Sequence, residues 1–284
     1  MDGLLINSED VITQCTNQLL TKYGRPVFTR YMRAVTSKLN TFKDYSALDE
    51  INIYLIIIKV GVPDSTNSDT FHDWAKLPIS REQFKRELKE LMTLKFPDCE
   101  PLPGAEKLLS DLSRGVSAGA KVKLALASST KTSTYNLKIS KPRNQVLLDF
   151  FEPDRKILGD DTRLQQSRGK PAPDIYLIAL RALNSRIKPG EEPIVPEECL
   201  VFEDSIAGVE AGRQADMRII WVPHPDLTAE YQLIEKEILA GRTGRFTFGD
   251  DPKLGEIDDG WAESIPSLER FDFKKYGIQV PSYS

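Results

Sequence analysis

The stretch from Cys199 to Leu227, CLVFEDSIAGVEAGRQADMRIIWVPHPDL, constrains this chain more than any other. Cys199 to Phe202 has the length and apolarity of a strand, Ser205 to Gly208 is a small-residue turn, a helix runs through Ala215, and Arg218 to Val222 is a second apolar strand. The unit is a β-turn-α-β crossover, which belongs to parallel α/β sheets. Glu203 and Asp204 stand at the carboxyl end of its first strand, where open sheets of this kind place their ligands. Two adjacent carboxylates repel each other unless a cation intervenes, and hard oxygen donors suit magnesium. The alternative at this point is that the pair is helix N-terminal acid, favouring the dipole and capping the first turn.

The remaining chain supplies more units of the same type. KVKLALA (121–127) is of strand length and ends in Ser128-Ser129-Thr130-Lys131, again polar residues at a carboxyl edge. Gly169-Lys170-Pro171-Ala172-Pro173-Asp174 leads into the apolar helix IYLIALRAL, with proline at its head. Ser128 can donate its hydroxyl to a phosphoryl oxygen with the Ser129 amide beside it, and Lys170 can neutralise a phosphate. Singly, Ser128 reads as well as a capping serine and Lys170 as a solvated surface lysine.

A helical lobe precedes these units. Val11, Cys15, Leu19 and Leu20 share one helical face, and Phe84, Leu88, Leu91 and Met92 share another behind a Ser80/Gln83 capping box. Pro101 and Pro103 mark a break before a helix carrying Leu108, Leu109 and Leu112. From about 34 to 61 the pattern has no coherent period, and Ile51 to Val60 is apolar but too short for a membrane span. The tail from about Glu235 reads as a helix, a Gly/Asp-rich loop and an apolar segment from Trp261 to Phe271.

Composition narrows the function classes. A net charge of −4 with 28% charged residues argues against a nucleic-acid surface. Cys15, Cys99 and Cys199 form no CxxC pair and leave an odd thiol, which points to a reducing, cytoplasmic setting. Two histidines leave little material for zinc sites or serine-histidine triads.

MDGLLINSED, LALASST, GKPAPDIYL and VFEDSIAGVEAG, in this order, resemble the haloacid dehalogenase-like phosphatases, especially the branch with beta-phosphoglucomutase and pseudouridine-5'-phosphatase. The resemblance implies a Rossmann-like parallel sheet core, here 1–12 and 103–284, with an inserted helical cap at 13–102 that includes the atypical segment. It implies a magnesium-dependent phosphatase of small phosphorylated metabolites such as sugar or nucleoside monophosphates, working through an aspartyl-phosphate. A sugar-phosphate mutase and a catalytically inactive phosphate-binding remnant are the alternatives. By motif position, Asp2 matches the acid/base aspartate and a magnesium ligand, Ser128 and Ser129 the substrate hydroxyl motif, Lys170 the catalytic lysine, and Glu203 with Asp204 the metal acids. The chain departs from the pattern at its start: the family motif is a strand followed by Asp-x-Asp-Gly, and Met1 stands at x. A strand and a nucleophilic aspartate upstream of Met1 are therefore expected. The partner expected is a small phosphorylated metabolite, with neither nucleic acid nor membrane; the oligomeric state is open, with a monomer favoured.

Overall fold

The computed structural model describes residues 1–27, 71–72, 74–117, 119–164, 168–188, 190–244 and 253–281. The segment at 34–61 and the run Ile51 to Val60 lie outside these residues.

Two long helices make the first lobe. Helix α1 (Ser8–Lys22) has Glu9 and Asp10 in its first turn and Lys22 in its last, the order the helix dipole favours. Helix α2 (Arg81–Lys95) starts at Ser80, whose side chain accepts the Gln83 amide at 3.2 Å. The two helices pack together. Leu19, Leu20, Phe71, Ala75, Leu77 and Phe84 form a small core of their own, with the Phe71 and Phe84 rings 5.3 Å apart. The N-terminal half of α1 belongs elsewhere: Val11 and Cys15 sit in the main core. Helix α1 thus runs through the expected 12/13 boundary and carries one lobe into the other.

The main body is built from short strands and the helices that cover them. Helix α3 (Ala105–Arg114) is followed by β1 (Val116–Ser117), β2 (Ala120–Lys121) and β3 (Leu126–Ala127), then helices α4 (Thr132–Lys138) and α5 (Pro142–Leu148) and strand β4 (Lys156–Ile157). Helix α6 (Asp174–Asn184) leads to β5 (Leu200–Glu203), α7 (Ile206–Gln214) and β6 (Arg218–Trp221); β7 (Ala262–Ser264) and β8 (Ile278–Gln279) lie in the tail. Strands β5, β6 and β7 pair in parallel in that order, with Glu203 opposite Trp221. β3 and β4 form a second parallel pair, and β2-β1-β8 a small antiparallel sheet at the edge.

Side-chain alternation sorts the parallel strands between two cores. Val201, Ile219 and Trp221 face the cluster formed by α6 and α7. Leu200, Phe202, Ile220 and Val222 face the opposite cluster, with Leu108, Leu109, Leu112, Leu147 and Leu148. A sheet buried on both faces is what near-continuous apolar strands imply, and each fully buried Ile or Trp of β6 contributes about 1.5–3 kcal/mol. The expected α/β core is present.

Two elements differ from the sequence reading. KVKLALA is not one strand: Lys121 pairs with Val116 in the antiparallel sheet, and only Leu126 and Ala127 form ladder pairs with β4. Between β3 and β5 lies an apolar cavity of about 800 Å³, so β3 is hydrogen-bonded along one edge, and a run paired on one side keeps fewer ladder bonds. The apolar tail from Trp261 supplies β7, whose residues Ala262 and Ser264 pair with Ile219 and Trp221.

Gly104 starts α3 with φ +83°, and a Cβ placed there would stand 2.6 Å from the Glu269 backbone nitrogen. Gly119 has φ +80° with open space around it. Gly119→Ala is expected to cost only backbone strain, about 1–2 kcal/mol, and Gly104→Ala to cost about 1–3 kcal/mol more through the clash. Urea denaturation of both variants checks this; equal losses would remove the clash from the argument.

Candidate active site

Strand β5 delivers Glu203 to its carboxyl end, buried beneath the first turn of α7. Each of its carboxylate oxygens is engaged. Oε1 accepts from Lys170 Nζ and, at 2.9 Å, from the Tyr176 hydroxyl. Oε2 accepts from the amides of Asp204 (3.0 Å) and Ser205 (2.9 Å) and from Ser205 Oγ (2.9 Å). Burial alone would raise the Glu203 pKa, but the Lys170 ammonium and these hydrogen bonds bring it down to about 2, so the group is ionised. A Cβ on Gly208 would fall 1.9 Å from Glu203 Cδ. The glycine in the helix is the space in which the carboxylate lies.

The cap of α7 is Ser205, whose Oγ accepts the Gly208 amide at 3.0 Å. Neither acid caps the helix. Asp204 instead turns toward the opening turn of the chain, where a Cβ on Gly3 would stand 2.3 Å from Asp204 Oδ2. Burial and the neighbouring Glu203 charge push its pKa well above the usual carboxylate range. Among the described residues no hydrogen bond reaches its carboxylate, while its backbone carbonyl accepts from Trp221 Nε1 at 3.2 Å. A buried carboxylate in this state holds its proton unless a cation offsets its charge.

Strand β3 delivers Ser128 to the same edge. Its amide donates to the Ile157 carbonyl at 2.9 Å, and its Oγ accepts the Thr130 amide at 3.2 Å. The serine thus organises its own turn while keeping a hydroxyl proton to donate. Ser129 is exposed, and Gly159 packs against its backbone: a Cβ there would meet Ser129 O at 2.1 Å. Lys170 also approaches the Ala127 carbonyl at 3.5 Å and lies 4.9 Å from the Tyr176 ring centre. The ends of β3 and β5, Lys170 and the turn at residues 1–6 therefore meet at one place.

Asp2 is held by a separate set of partners. Its Oδ1 accepts from Ser8 Oγ and, at 2.5 Å, from Lys138 Nζ; its Oδ2 accepts from Thr130 Oγ1 at 2.5 Å. Burial opposes its ionisation, yet the Lys138 charge carries its pKa down to about 2. Lys138 is itself buried and sits 4.7 Å from the Phe96 ring centre.

A family model, the haloacid dehalogenase-like hydrolases, matches residues 1–216. An uncharacterized protein of Schizosaccharomyces pombe is 32% identical over 97% of this chain and 91% of its own length. This chain belongs to the haloacid dehalogenase-like hydrolases. A protein of Saccharomyces cerevisiae named a probable pseudouridine-5'-phosphatase is 31% identical over 98% of this chain and 94% of its own. A (DL)-glycerol-3-phosphatase of Arabidopsis thaliana is 29% identical over 84% of this chain and 67% of its own. The crystal structure of a beta-phosphoglucomutase from Clostridium difficile has the same fold, with a TM-score of 0.53 and 16% identity over 96% of this chain and 91% of that one.

The structure brings together Lys170, Glu203, Asp204 and the Ser128 turn, and it ties Asp2 to Thr130 two residues beyond Ser128. Among the described residues no three His, Cys, Asp or Glu side chains gather as a metal cage. Glu203, expected among the metal acids, pairs with Lys170 and accepts hydrogen bonds from five donors. Tyr176, Gly208 and Lys138 did not emerge from sequence. A glycine inside a helix, unfavourable by about 1 kcal/mol relative to alanine, was the available signal for Gly208; a lysine in a short polar helix offered none for Lys138.

A carboxylate whose pKa is raised in the folded state loses stability as pH climbs from its unfolded value near 4 through the folded one. Asp204→Asn removes that loss. Without divalent cations the variant is therefore expected to melt above the parent at pH 7, and to lose the advantage toward pH 4. Calorimetry across this range checks the sign; a variant less stable at pH 7 would contradict the raised pKa of Asp204.

Proposed function

We propose that the protein is a phosphatase of small phosphorylated metabolites, of the sugar or nucleoside monophosphate class, with Ser128, Lys170, Asp204 and Asp2 as its working residues. The observation that carries this reading is the Lys170–Glu203 pair at the strand ends. The buried carboxylate aims an ammonium at the edge where the Ser128 hydroxyl and the Asp204 carboxylate also arrive. That arrangement fits a phosphoryl group: a cation and a hydroxyl donor for its oxygens, and a buried acid for the metal that accompanies it. The phosphatase names of the relatives from Saccharomyces and Arabidopsis support the same class.

Magnesium fits Asp204, whose buried carboxylate lacks a described donor and lies against the turn at Gly3; by motif position the Asp2 backbone carbonyl would be a second oxygen for the ion. When bound, the ion would neutralise charge on the phosphoryl oxygens. Glu203 contributes to the metal through charge rather than direct ligation. Ser128 and the Ser129 amide orient the phosphoryl group, and Lys170 offsets its charge. Asp2 is the proton carrier. Bound to Lys138 it is ionised and serves as a base toward water; to give a proton to a leaving oxygen it must first release Lys138. The attacking carboxylate that the family route requires directly before Met1 is not among the residues of this sequence. The three free thiols support a reducing, cytoplasmic setting, and no helix among the described residues is long and apolar enough to cross a membrane.

The decisive experiment compares this chain with one extended upstream by an apolar strand and an aspartate immediately before Met1, on a panel of phosphomonoesters with magnesium. The extended chain is expected to exceed the other by a factor on the order of 10⁴ to 10⁶. Equal activities would refute the missing-nucleophile account, and no activity in either would favour the phosphate-binding remnant. In the extended chain, Lys170→Ala leaves Glu203 buried without its counter-ion, at a cost of about 3–5 kcal/mol. Urea unfolding should show that loss together with failure to trap a phosphoenzyme; unimpaired trapping would return Lys170 to a structural role.

A further inference from the structure

Four parts of the chain meet at Asp2 and its partners. Lys138 ends α4, Thr130 stands in the turn after β3, Ser8 opens α1, and Phe96 opens the short 3₁₀ turn (Phe96–Asp98) that follows α2. The segments entering and leaving the helical lobe are stitched together one residue further on: the Asn7 amide donates to the Glu100 carbonyl at 3.0 Å, and the Glu100 amide to Asn7 Oδ1 at 2.8 Å.

A lysine in the last turn of a helix is favoured there by the dipole and ordinarily keeps its ammonium in water. Lys138 does not. Only 3% of its side chain is exposed, and its ammonium lies 4.7 Å from the centre of the buried Phe96 ring. Its carbonyl accepts from Asn144 Nδ2 at 2.9 Å, and the same nitrogen donates to the Cys99 carbonyl at 2.6 Å. One buried amide thus fixes Lys138 to the segment that leaves the lobe. Burying an ammonium is costly, and an ion pair seldom repays that cost in stability against an apolar pair of similar size. What the burial secures is geometry.

That geometry is the geometry of Asp2. Among the described residues Asp2 is the carboxylate bound to Lys138, at 2.5 Å; Thr130 Oγ1 lies 3.5 Å from the same ammonium and donates to the other Asp2 oxygen at 2.5 Å. The pair is unequally exposed, with 18% of the Asp2 side chain accessible against 3% of Lys138. A substrate can touch the carboxylate, while the ammonium behind it has almost no surface to offer. Lys138 can therefore act on a reaction only through Asp2.

Resting on the reading of Asp2 as proton carrier, we propose that Lys138, with Thr130, is a positioning residue of the phosphatase reaction: it holds the Asp2 carboxylate turned for the water step, and the Phe96 to Cys99 segment seats it there. In that step a water oxygen bonds to phosphorus, the bond from phosphorus to the aspartyl oxygen breaks, and the water's proton passes to Asp2, leaving inorganic phosphate and a free nucleophile carboxylate. Lys138 takes no part in the bond changes.

The test has two arms. In the upstream-extended chain, Lys138→Met should lower kcat by about 10²-fold and kcat/KM by no more than about threefold, because the misplaced base slows hydrolysis of the phosphoenzyme rather than its formation. KM then falls with kcat, and acid-quenched phosphoenzyme accumulates. Thr130→Val, which strips the donor from the other Asp2 oxygen, should move the ratio of kcat to kcat/KM in the same direction, and it carries this arm if Lys138→Met does not fold. Equal losses in both constants, or no loss, would leave these residues with a structural role and overturn the proposal. In the chain as it stands, thermal melting of Lys138→Met, Asp2→Asn and the double variant measures the coupling of the pair: the Tm loss caused by Lys138→Met should fall by roughly half or more once Asp2 is already Asn. Equal Tm losses in the two backgrounds would mean that the pair is not formed, and would also overturn it. An extended parent without turnover would sink the phosphatase reading and this proposal together, whereas an active parent with unsplit constants sinks this proposal alone.

Discussion

The buried charge of Glu203 is the constraint on which the site depends. An isolated carboxylate in such a place would be neutral or would unfold its surroundings. Here it stays ionised because five donors surround it: Lys170, Tyr176, two backbone amides and Ser205. Each donor comes from a different demand on the chain. Lys170 must arrive from the loop before α6, Tyr176 from the first turn of that helix, and the amides from the turn into α7. Gly208 must lack a side chain. The two most distinctive phrases of the sequence, GKPAPDIY and FEDSIAG, are in this sense a single structure closed around one carboxylate.

That closure separates the roles of two neighbouring acids. Glu203 is fully satisfied by the protein, and its charge serves to aim Lys170. Asp204 feels the same burial and the added repulsion of Glu203, with no described hydrogen-bond donor to offset either, so its pKa is raised where that of Glu203 is lowered. Environments that push the properties of two adjacent groups apart are how one small site acquires distinct functions. A second ion pair repeats the device: Lys138 holds Asp2 against Ser8 and Thr130, tying the start of α1 to the turn after β3. Since α1 continues into the smaller helical core, Asp2 is fastened to the element that joins the two lobes.

Much of this was legible in the linear order of residues. Strand, acid pair and small-residue turn followed by a helix and a second strand, from Cys199 to Val222, can be read from apolar period and turn chemistry, because both are local. Ser128 and Lys170 could be placed at strand ends for the same reason. The actual partners could not. Where the Glu203 carboxylate lies is set by Lys170, thirty-three positions away, and by the gap at Gly208. Lys138 pairs with a carboxylate 136 positions distant, and no local pattern carries such a distance.

By itself the sequence determined the α/β class, the helical lobe, the edge on which the chemistry gathers and the residue types gathered there, since these follow from periodicity, turn residues and motif order. Tertiary structure alone decided that Glu203 is a counter-ion and Asp204 the open acid, and that β3 and β5 face each other across an apolar slot rather than pairing. The physical reason is common to both. Charge compensation and strand pairing are satisfied between segments remote in the chain, and only the packed fold states which remote group is near enough to satisfy them.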